Sequence, residues 1–154
     1  MFWLIEKFFA VSQYFFYRCK YRLPMSFRFN GIFIRIHGNG DLVVGENTYI
    51  SHFTYLNVIE GAKLELGSGV QIAHNVKIYT SGFDTEKRAL GLDNEYVADV
   101  SIGDGCLIGS NAYICPGVTL GKNVVVGANS VVTTNFPDYT VVAGVPARIV
   151  KNYA

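Results

Sequence analysis

The sequence has little charge, few cysteines and no long uninterrupted apolar run. Charged residues make up 16% of its 154 residues, and thirteen Lys and Arg against twelve Asp and Glu leave a net charge of +1. This balance gives no overall attraction for a nucleic acid, so no nucleic-acid partner is expected. A run of about 18 uncharged apolar residues is absent, and no small-residue cleavage site follows the apolar start that contains Glu6 and Lys7. We therefore expect neither a membrane-spanning helix nor a cleaved signal.

The three cysteines are odd in number and form no C-x-x-C pair; they are Cys19, Cys106 and Cys115. Neither a disulfide framework nor a zinc knuckle is therefore predicted, and a reducing cytoplasm is the best fit. Half of the residues are hydrophobic and the mean hydropathy is +0.24, which is the composition of a folded domain rather than of a disordered segment.

Residues 1–30 form an aromatic and basic N-terminal segment that differs from the rest of the chain. Residues 1–29 hold eleven of the 22 aromatic residues, five of the thirteen Lys and Arg, and a single acid, Glu6. A helix is predicted up to about Arg22, before Pro24. Two interpretations remain open: these aromatics, which include Trp3, Phe8 and Phe9, cover the core or a subunit interface, or they dock on an anionic surface at the inner face of the cytoplasmic membrane.

From about residue 31 the dominant pattern is an aliphatic residue at every sixth position, a period of neither a helix nor an ordinary strand. The positions are Val44, Ile50, Leu56, Leu66, Ile72, Ile78, Ile102, Ile108, Ile114, Leu120, Val126 and Val132. Three residues after each of the last six come residues that tolerate a left-handed backbone: Gly105, Asn111, Gly117, Asn123, Asn129 and Asn135. Three hexads make one triangular coil of short parallel strands, so residues 31–154 are predicted to form an all-β solenoid of about four to five coils.

One long excursion interrupts the solenoid at residues 82–99, GFDTEKRALGLDNEYVAD, where the repeat is absent. Long loops on a rigid scaffold are frequent sites of function. A C-terminal tail, residues 137–154, follows the last hexad.

The segment from Ile102 to Lys151, with its VVAGVPARIVK ending, resembles the hexapeptide-repeat acyltransferases, nearest the bacterial sugar and polysaccharide O-acetyltransferases. This resemblance implies a left-handed parallel β-helix and a homotrimer that binds acetyl-CoA, the acetyl donor, in the groove between neighbouring solenoids. Residues that match the family's cofactor groove are Ser110, Ala128, Thr133, Thr134 and Arg148. Arg148 is the best charge for the phosphates because a guanidinium stays ionised and offers several donors.

The catalytic base of the family is missing from its usual place. In the sugar O-acetyltransferases a His lies nineteen residues before the aliphatic of the first hexad after the loop, and that position is Phe83 here. His52 aligns with the Asn that faces the acceptor in these relatives, and His74, 22 residues later, is predicted to stack on it at the same corner of the next coil. Two stacked imidazoles disfavour double protonation and leave at least one neutral ring, which suits a base.

For the other candidate residues, a structural role at the solvent-exposed surface is the alternative to a role in the active site. Asp84 is predicted either to orient a His or bind acceptor hydroxyls, or to belong to a solvated loop tip, and His37 is a weaker candidate base. None of the three histidines has the H-x-x-x-x-H spacing of the γ-class carbonic anhydrases, so no metal site is predicted.

Three functions are consistent with these features. The first is an acetyl-CoA-dependent O-acetyltransferase that acts on a sugar hydroxyl of a glycan acceptor during surface-polysaccharide synthesis in bacteria. The second is an N-acetyltransferase on a nucleotide-linked amino sugar, whose neutral amine needs no protein base, so that Phe83 is no defect. The third is a non-catalytic structural or assembly subunit.

Overall fold

The computed structural model describes residues 2–153, with side chains from residue 10 onward, as a triangular stack of short parallel strands preceded by one long helix. The helices are α1 (Phe2–Tyr21) and α2 (Thr85–Ala89). The strands are β1 (Arg28–Asn30), β2 (Arg35–His37), β3 (Asp41–Val44), β4 (Tyr49–Ser51), β5 (Tyr55–Asn57), β6 (Lys63–Leu66), β7 (Gln71–Ile72), β8 (Lys77–Tyr79), β9 (Ser81–Phe83), β10 (Glu95–Val97), β11 (Val100–Ile102), β12 (Leu107–Ile108), β13 (Tyr113–Ile114), β14 (Thr119–Leu120), β15 (Val125–Val126), β16 (Val131–Val132), β17 (Thr140–Gly144) and β18 (Ala147–Asn152).

Three parallel sheets form the sides of the triangle. Sheet A has the order β1-β4-β7-β12-β15-β17, sheet B the order β2-β5-β8-β13-β16, and sheet C the order β3-β6-β11-β14. Neighbours in each sheet come from successive coils, so the five strands of sheet B correspond to about five coils. The first coil begins at β1, which pairs with β4, so it includes three residues before the predicted boundary at residue 31.

The hexad aliphatics stack in register and form the core. Ile50 pairs with Ile72, Ile72 with Ile108, and Ile108 with Val126. Eleven of the twelve predicted positions are buried, and Val44 is partly buried. Each full burial of such a side chain contributes about 1.5 to 3 kcal/mol, which explains why the spacing of these residues sets the coil length.

Helix α1 ends at Tyr21, as the sequence predicted to within one residue, and its C-terminal half packs over the first coil. Tyr17 is buried in the core, and the ring of Tyr14 stacks on Phe29 with centroids 4.3 Å apart. The head group of Lys20 donates a 2.7 Å hydrogen bond to the Gly38 carbonyl, and Arg18 donates to the Pro24 carbonyl at 2.7 Å. These contacts favour the covering role of the helix.

Two further observations concern the alternative membrane role. The side chains of Trp3, Phe8 and Phe9, on which part of the predicted aromatic surface depends, lie outside the described residues. Within the described part of the chain, no helix has the length and apolar character needed to cross a bilayer.

The excursion between β8 and β11 has regular structure of its own. Strands β9 and β10 pair antiparallel, and α2 lies between them at the tip. The C-terminal tail is also regular, because β17 adds a further parallel strand beside β15 and β18 folds back on β17.

Candidate active site

One corner of the solenoid carries most of the candidate residues. We call it the AB corner, because the chain passes there from sheet A to sheet B. One residue from each coil forms a column at this corner: Ile32, His52, His74, Ser110 and Ala128. The carbonyl of each of the first four accepts a hydrogen bond of 2.8 to 3.2 Å from the backbone N–H that follows the next member. Along the solenoid axis, the two histidines are therefore followed directly by two predicted cofactor residues, with a spacing of about 4.8 Å between successive coils.

His52 and His74 contact each other as the sequence predicted. Their ring centroids are 5.3 Å apart, with an angle of 50° between the ring planes. The Nδ1 atom of His52 accepts a hydrogen bond from the backbone N–H of Ile32, with 3.1 Å between the two nitrogens. A neutral imidazole with an unprotonated Nδ1 carries its proton on Nε2. In this arrangement His52 offers a hydrogen-bond donor and has no free nitrogen that could act as a base.

His74 has the opposite character. It is exposed, and its ring makes no hydrogen bond to any other residue that the structure describes. Either ring nitrogen can therefore accept a proton from an incoming group.

The segment that fixes His52 was not identified from the sequence. The Gly31 backbone packs closely against the His52 imidazole, since a Cβ atom on Gly31 would come within 2.5 Å of the ring atom Cδ2. Tyr14 of α1 donates a 2.8 Å hydrogen bond to the Gly31 carbonyl and so connects the helix to this segment. Ile32 lies twenty residues before His52. Counting back one coil length from His52 would have identified it as the preceding residue of the column.

His37 does not join the other two histidines. It lies on the outer face of sheet B in β2, and its ring is 6.4 Å from that of Tyr55. Within the described residues, no group of three or more His, Cys, Asp or Glu side chains could hold a metal ion.

The predicted cofactor residues lie at two different corners. Ser110 and Ala128 are neighbours in the AB column. Arg148 is at the top of the same corner, because it pairs with Ala143, whose Cβ lies 3.0 Å from a Cβ built on Gly127. Thr133 and Thr134 follow β16 and lie at its far end, where sheet B meets sheet C. One chain therefore cannot surround a ligand with all five residues.

The loop residues are also away from the AB corner. Phe83 is exposed at the end of β9, and the Arg88 guanidinium lies over its ring at 5.9 Å. Asp84 caps α2, with one carboxylate oxygen accepting from the backbone N–H groups of Glu86 and Lys87 at 3.0 and 3.1 Å. This contact gives Asp84 a structural role at the start of α2.

Tyrosines on sheet B were not identified from the sequence as candidate site residues. Tyr79 precedes the loop, and its ring stacks on that of Tyr113 with centroids 5.1 Å apart and 16° between the planes. Desolvation by burial raises the pKa of Tyr79 and of Tyr113 above the ordinary value, so both stay protonated near neutral pH. Their hydroxyl groups are available as hydrogen-bond donors beside the loop.

Comparison with known proteins gives consistent matches. Residues 99–134 match the family model described as the hexapeptide repeat of succinyl-transferase. The chain is 34% identical over 111 residues to the galactoside O-acetyltransferase of Escherichia coli, which covers 70% of this chain and 55% of that protein. The solved maltose O-acetyltransferase of Clostridium difficile shares 30% identity and a TM-score of 0.68, and covers 98% of this chain and 88% of that chain.

A third relative carries the coenzyme. The hexapeptide-repeat acetyltransferase of Vibrio cholerae, solved with acetyl-coenzyme A, has 27% identity and a TM-score of 0.72, and covers 90% of this chain and 76% of that chain. These neighbours confirm the predicted left-handed parallel β-helix. The chain spans 30% to 66% of the length of the curated relatives that it matches, and 55% of the galactoside O-acetyltransferase.

Proposed function

The chain belongs to the hexapeptide-repeat acyltransferase family, and from that membership we propose that it is an acetyl-CoA-dependent O-acetyltransferase acting on a sugar hydroxyl in surface-polysaccharide synthesis. The AB column is the observation that carries the proposal. It aligns an imidazole pair, His52 and His74, with Ser110 and Ala128, which match the family's cofactor positions. An acceptor hydroxyl held beside the imidazoles would lie at the end of a coenzyme that runs along the same corner.

The residues at the corner fit a bound coenzyme. A Cβ atom on Gly109 would come within 2.6 Å of the Ala128 backbone nitrogen, so the glycine lets the two coils pack closely at this point. Arg148 is exposed and is the charge that would bind phosphates. Acetyl-CoA would supply the acetyl group as an activated thioester.

A neighbouring copy would complete the groove. Thr133 and Thr134 lie across sheet B from Ala128, so they fit the opposite wall, contributed by the next subunit of a homotrimer. The same packing would bring the loop with Phe83 and Asp84 of one subunit toward the His52 and His74 pair of another. Closed rotational symmetry of this kind is common in soluble oligomers.

The two histidines would have different tasks. His74 takes the proton from the acceptor hydroxyl as its oxygen bonds to the acetyl carbon, and returns it to the departing coenzyme A sulfur. His52 keeps its proton on Nε2 and donates a hydrogen bond that orients the acceptor, because Ile32 occupies its Nδ1. This division provides a base although Phe83 stands at the usual position.

A second candidate is an N-acetyltransferase on a nucleotide-linked amino sugar. The exposed Phe83 favours it, because a neutral amine attacks without a protein base and an aromatic ring at the loop can contact a nucleotide base. Activity on amino sugars that survives the loss of both His52 and His74 would support this candidate over the first. A chain with no affinity for acetyl-CoA would instead support a structural or assembly subunit.

The decisive experiment is a calorimetric titration of the purified protein with acetyl-CoA. We expect clear binding that Arg148→Ala weakens by roughly tenfold or more, the effect of a lost charge-assisted hydrogen bond. Arg22→Ala is the matched control, because Arg22 is also exposed and lies at the end of α1 beside β3, away from the AB corner. Absence of binding at millimolar acetyl-CoA from a folded protein would contradict the proposal.

A further inference from the structure

Two phenylalanines occupy backbone positions that disfavour them. Phe33 and Phe53 have φ angles of +59° and +61°, and they lie in the column next to the histidines at the AB corner. The higher coils place asparagines there, Asn75, Asn111 and Asn129, with φ of 57°, 61° and 58°. A left-handed backbone costs an ordinary side chain about as much as a weak hydrogen bond is worth, whereas Asn tolerates it.

The two rings are also exposed to solvent. Phe33 is 51% and Phe53 55% exposed, and the rings stack in parallel with centroids 5.4 Å apart and 12° between the planes. We call this pair the phenylalanine shelf. The left-handed strain opposes folding, and asparagines at these positions would remove it and the exposed apolar surface. Features that the fold does not need are typical of binding sites.

The shelf borders a depression next to the imidazoles. Its volume is about 410 Å³, within the range of ligand sites, and its lining residues are Phe33, Arg35, Phe53, Thr54, Tyr55 and Asn75. The ring of Phe53 is 6.2 Å from that of His52. A ring-shaped molecule that packs on Phe53 would therefore lie near His52.

The charges around the depression indicate which kind of molecule it binds. The outward side chains of sheet B beside the shelf include Arg35 and Lys77, and none of the sheet's described residues is acidic. Ion pairs among the described residues are Lys63–Glu65 and Lys122–Asp104, so the Arg35 guanidinium has no carboxylate partner. A guanidinium with free donors binds phosphate or carboxylate oxygens.

We infer that the phenylalanine shelf and Arg35 form the acceptor subsite, and that the acceptor is a sugar ring bearing an anionic group. The apolar C–H face of a pyranose packs on the face of a shelf ring that the other ring leaves uncovered, because the face of an aromatic ring is electron-rich. The anionic group, a phosphate or a carboxylate, is bound by Arg35. This inference rests on the proposed function and names the class of its acceptor.

The test is a binding titration in the presence of saturating coenzyme A. The probes are glucose 1-phosphate, glucuronate and the neutral methyl glucoside, with inorganic phosphate as a control. We expect at least one anionic sugar to bind about tenfold more tightly than methyl glucoside, and inorganic phosphate to bind weakly. Stronger binding of glucose 1-phosphate identifies a sugar phosphate as the acceptor, whereas stronger binding of glucuronate identifies an acidic sugar.

Three variants assign the effect to residues. Phe53→Asn should weaken every sugar about fivefold or more, and it suits the left-handed backbone, so misfolding does not obscure the result. Arg35→Gln should remove the preference for anionic sugars and leave methyl glucoside unchanged. Phe15→Gln, at an exposed residue of α1, is the matched control and should bind sugars as the wild type does.

The outcomes separate this inference from the proposed function. Equal affinity of the wild type for all three sugars, or sugar binding that Phe53→Asn leaves intact, would overturn the inference. Failure of the wild type to bind acetyl-CoA would refute the proposed function, and the sugar titrations repeated without coenzyme A would still measure the effects of Phe53→Asn and Arg35→Gln.

Discussion

The lower (N-terminal) and upper (C-terminal) coils have the same backbone conformation at the AB corner but carry different residues there. In the upper coils the corner has Ser110 and Ala128 followed by Asn111 and Asn129, whose side-chain amides continue a ladder with 3.0 Å between donor and acceptor. In the lower coils the same positions carry His52 and Phe53, with Phe33 below. The upper coils use the residues that the backbone favours. The lower coils depart from them, and such departures mark the side chains retained for chemistry.

The largest expected effect tests whether the lower and upper coils differ in core packing as well as in their surface residues at the AB corner. Ile114 lies in β13, which has a strand on each side, whereas Ile36 lies in β2, which pairs with β5 alone. Ile114→Ala should lower the free energy of unfolding by about 3 to 5 kcal/mol, and Ile36→Ala by about 2 kcal/mol, because the end coil relaxes into the cavity more easily. Urea unfolding measures both. Equal losses would show that the lower end is packed as rigidly as the centre.

The next effect concerns the two histidines of the lower column. His74→Gln should reduce kcat by roughly a hundredfold, the contribution of a general base, whereas His52→Asn should reduce it by less than about tenfold because an amide keeps a donor. His37→Gln serves as the control, since His37 lies on the outer face of sheet B and should turn over normally. A larger loss in His52→Asn would reverse the assignment of the base.

The same contrast explains how much the sequence could predict. The hexad aliphatics predicted the coils and their register, because each buries a side chain at a fixed interval. The coil length also predicted the contact of His52 with His74, since residues at one corner recur at that interval. The hydrogen bond from Ile32 to His52 could not be predicted, because it depends on where the first coil begins under α1. The hairpin of β9 and β10 likewise has no repeat to reveal it.

A smaller effect should follow from exchanging the corner residues themselves. Phe53→Asn should raise the free energy of unfolding by about 0.5 to 1 kcal/mol, because relief of the left-handed strain exceeds the lost stacking on Phe33. Asn111→Phe should lower it by about 1 to 2 kcal/mol, because it breaks amide hydrogen bonds to Asn75 and Asn129. Thermal unfolding of the two variants gives both values. Loss of stability in Phe53→Asn would mean that the shelf stabilises the fold, and would weaken its interpretation as a binding surface.

The smallest effect distinguishes the coils by their response to alkali. At one buried position the lower coil has Thr48 and the upper coil Cys106, and each donates a hydrogen bond to a backbone carbonyl, Thr48 to Gly67 at 2.7 Å and Cys106 to Gly121 at 3.0 Å. Desolvation by burial raises the pKa of the Cys106 thiol from 9.0 to about 11. The unfolded chain therefore loses this proton first, so the stability due to the neutral thiol is complete below pH 9 and declines as the pH rises toward 11.

Urea midpoints at about pH 8 and pH 10.5 test this linkage to the Cys106 thiol. The wild type should lose more stability over this interval than Cys106→Ala, which has no thiol to ionise at that site. Cys19→Ala should decline as the wild type does, because Cys19 is exposed on α1. If Cys106→Ala declined as steeply as the wild type, the alkaline loss would arise from other groups whose pKa is raised by burial, such as Tyr79 and Tyr113, and not from the Cys106 thiol.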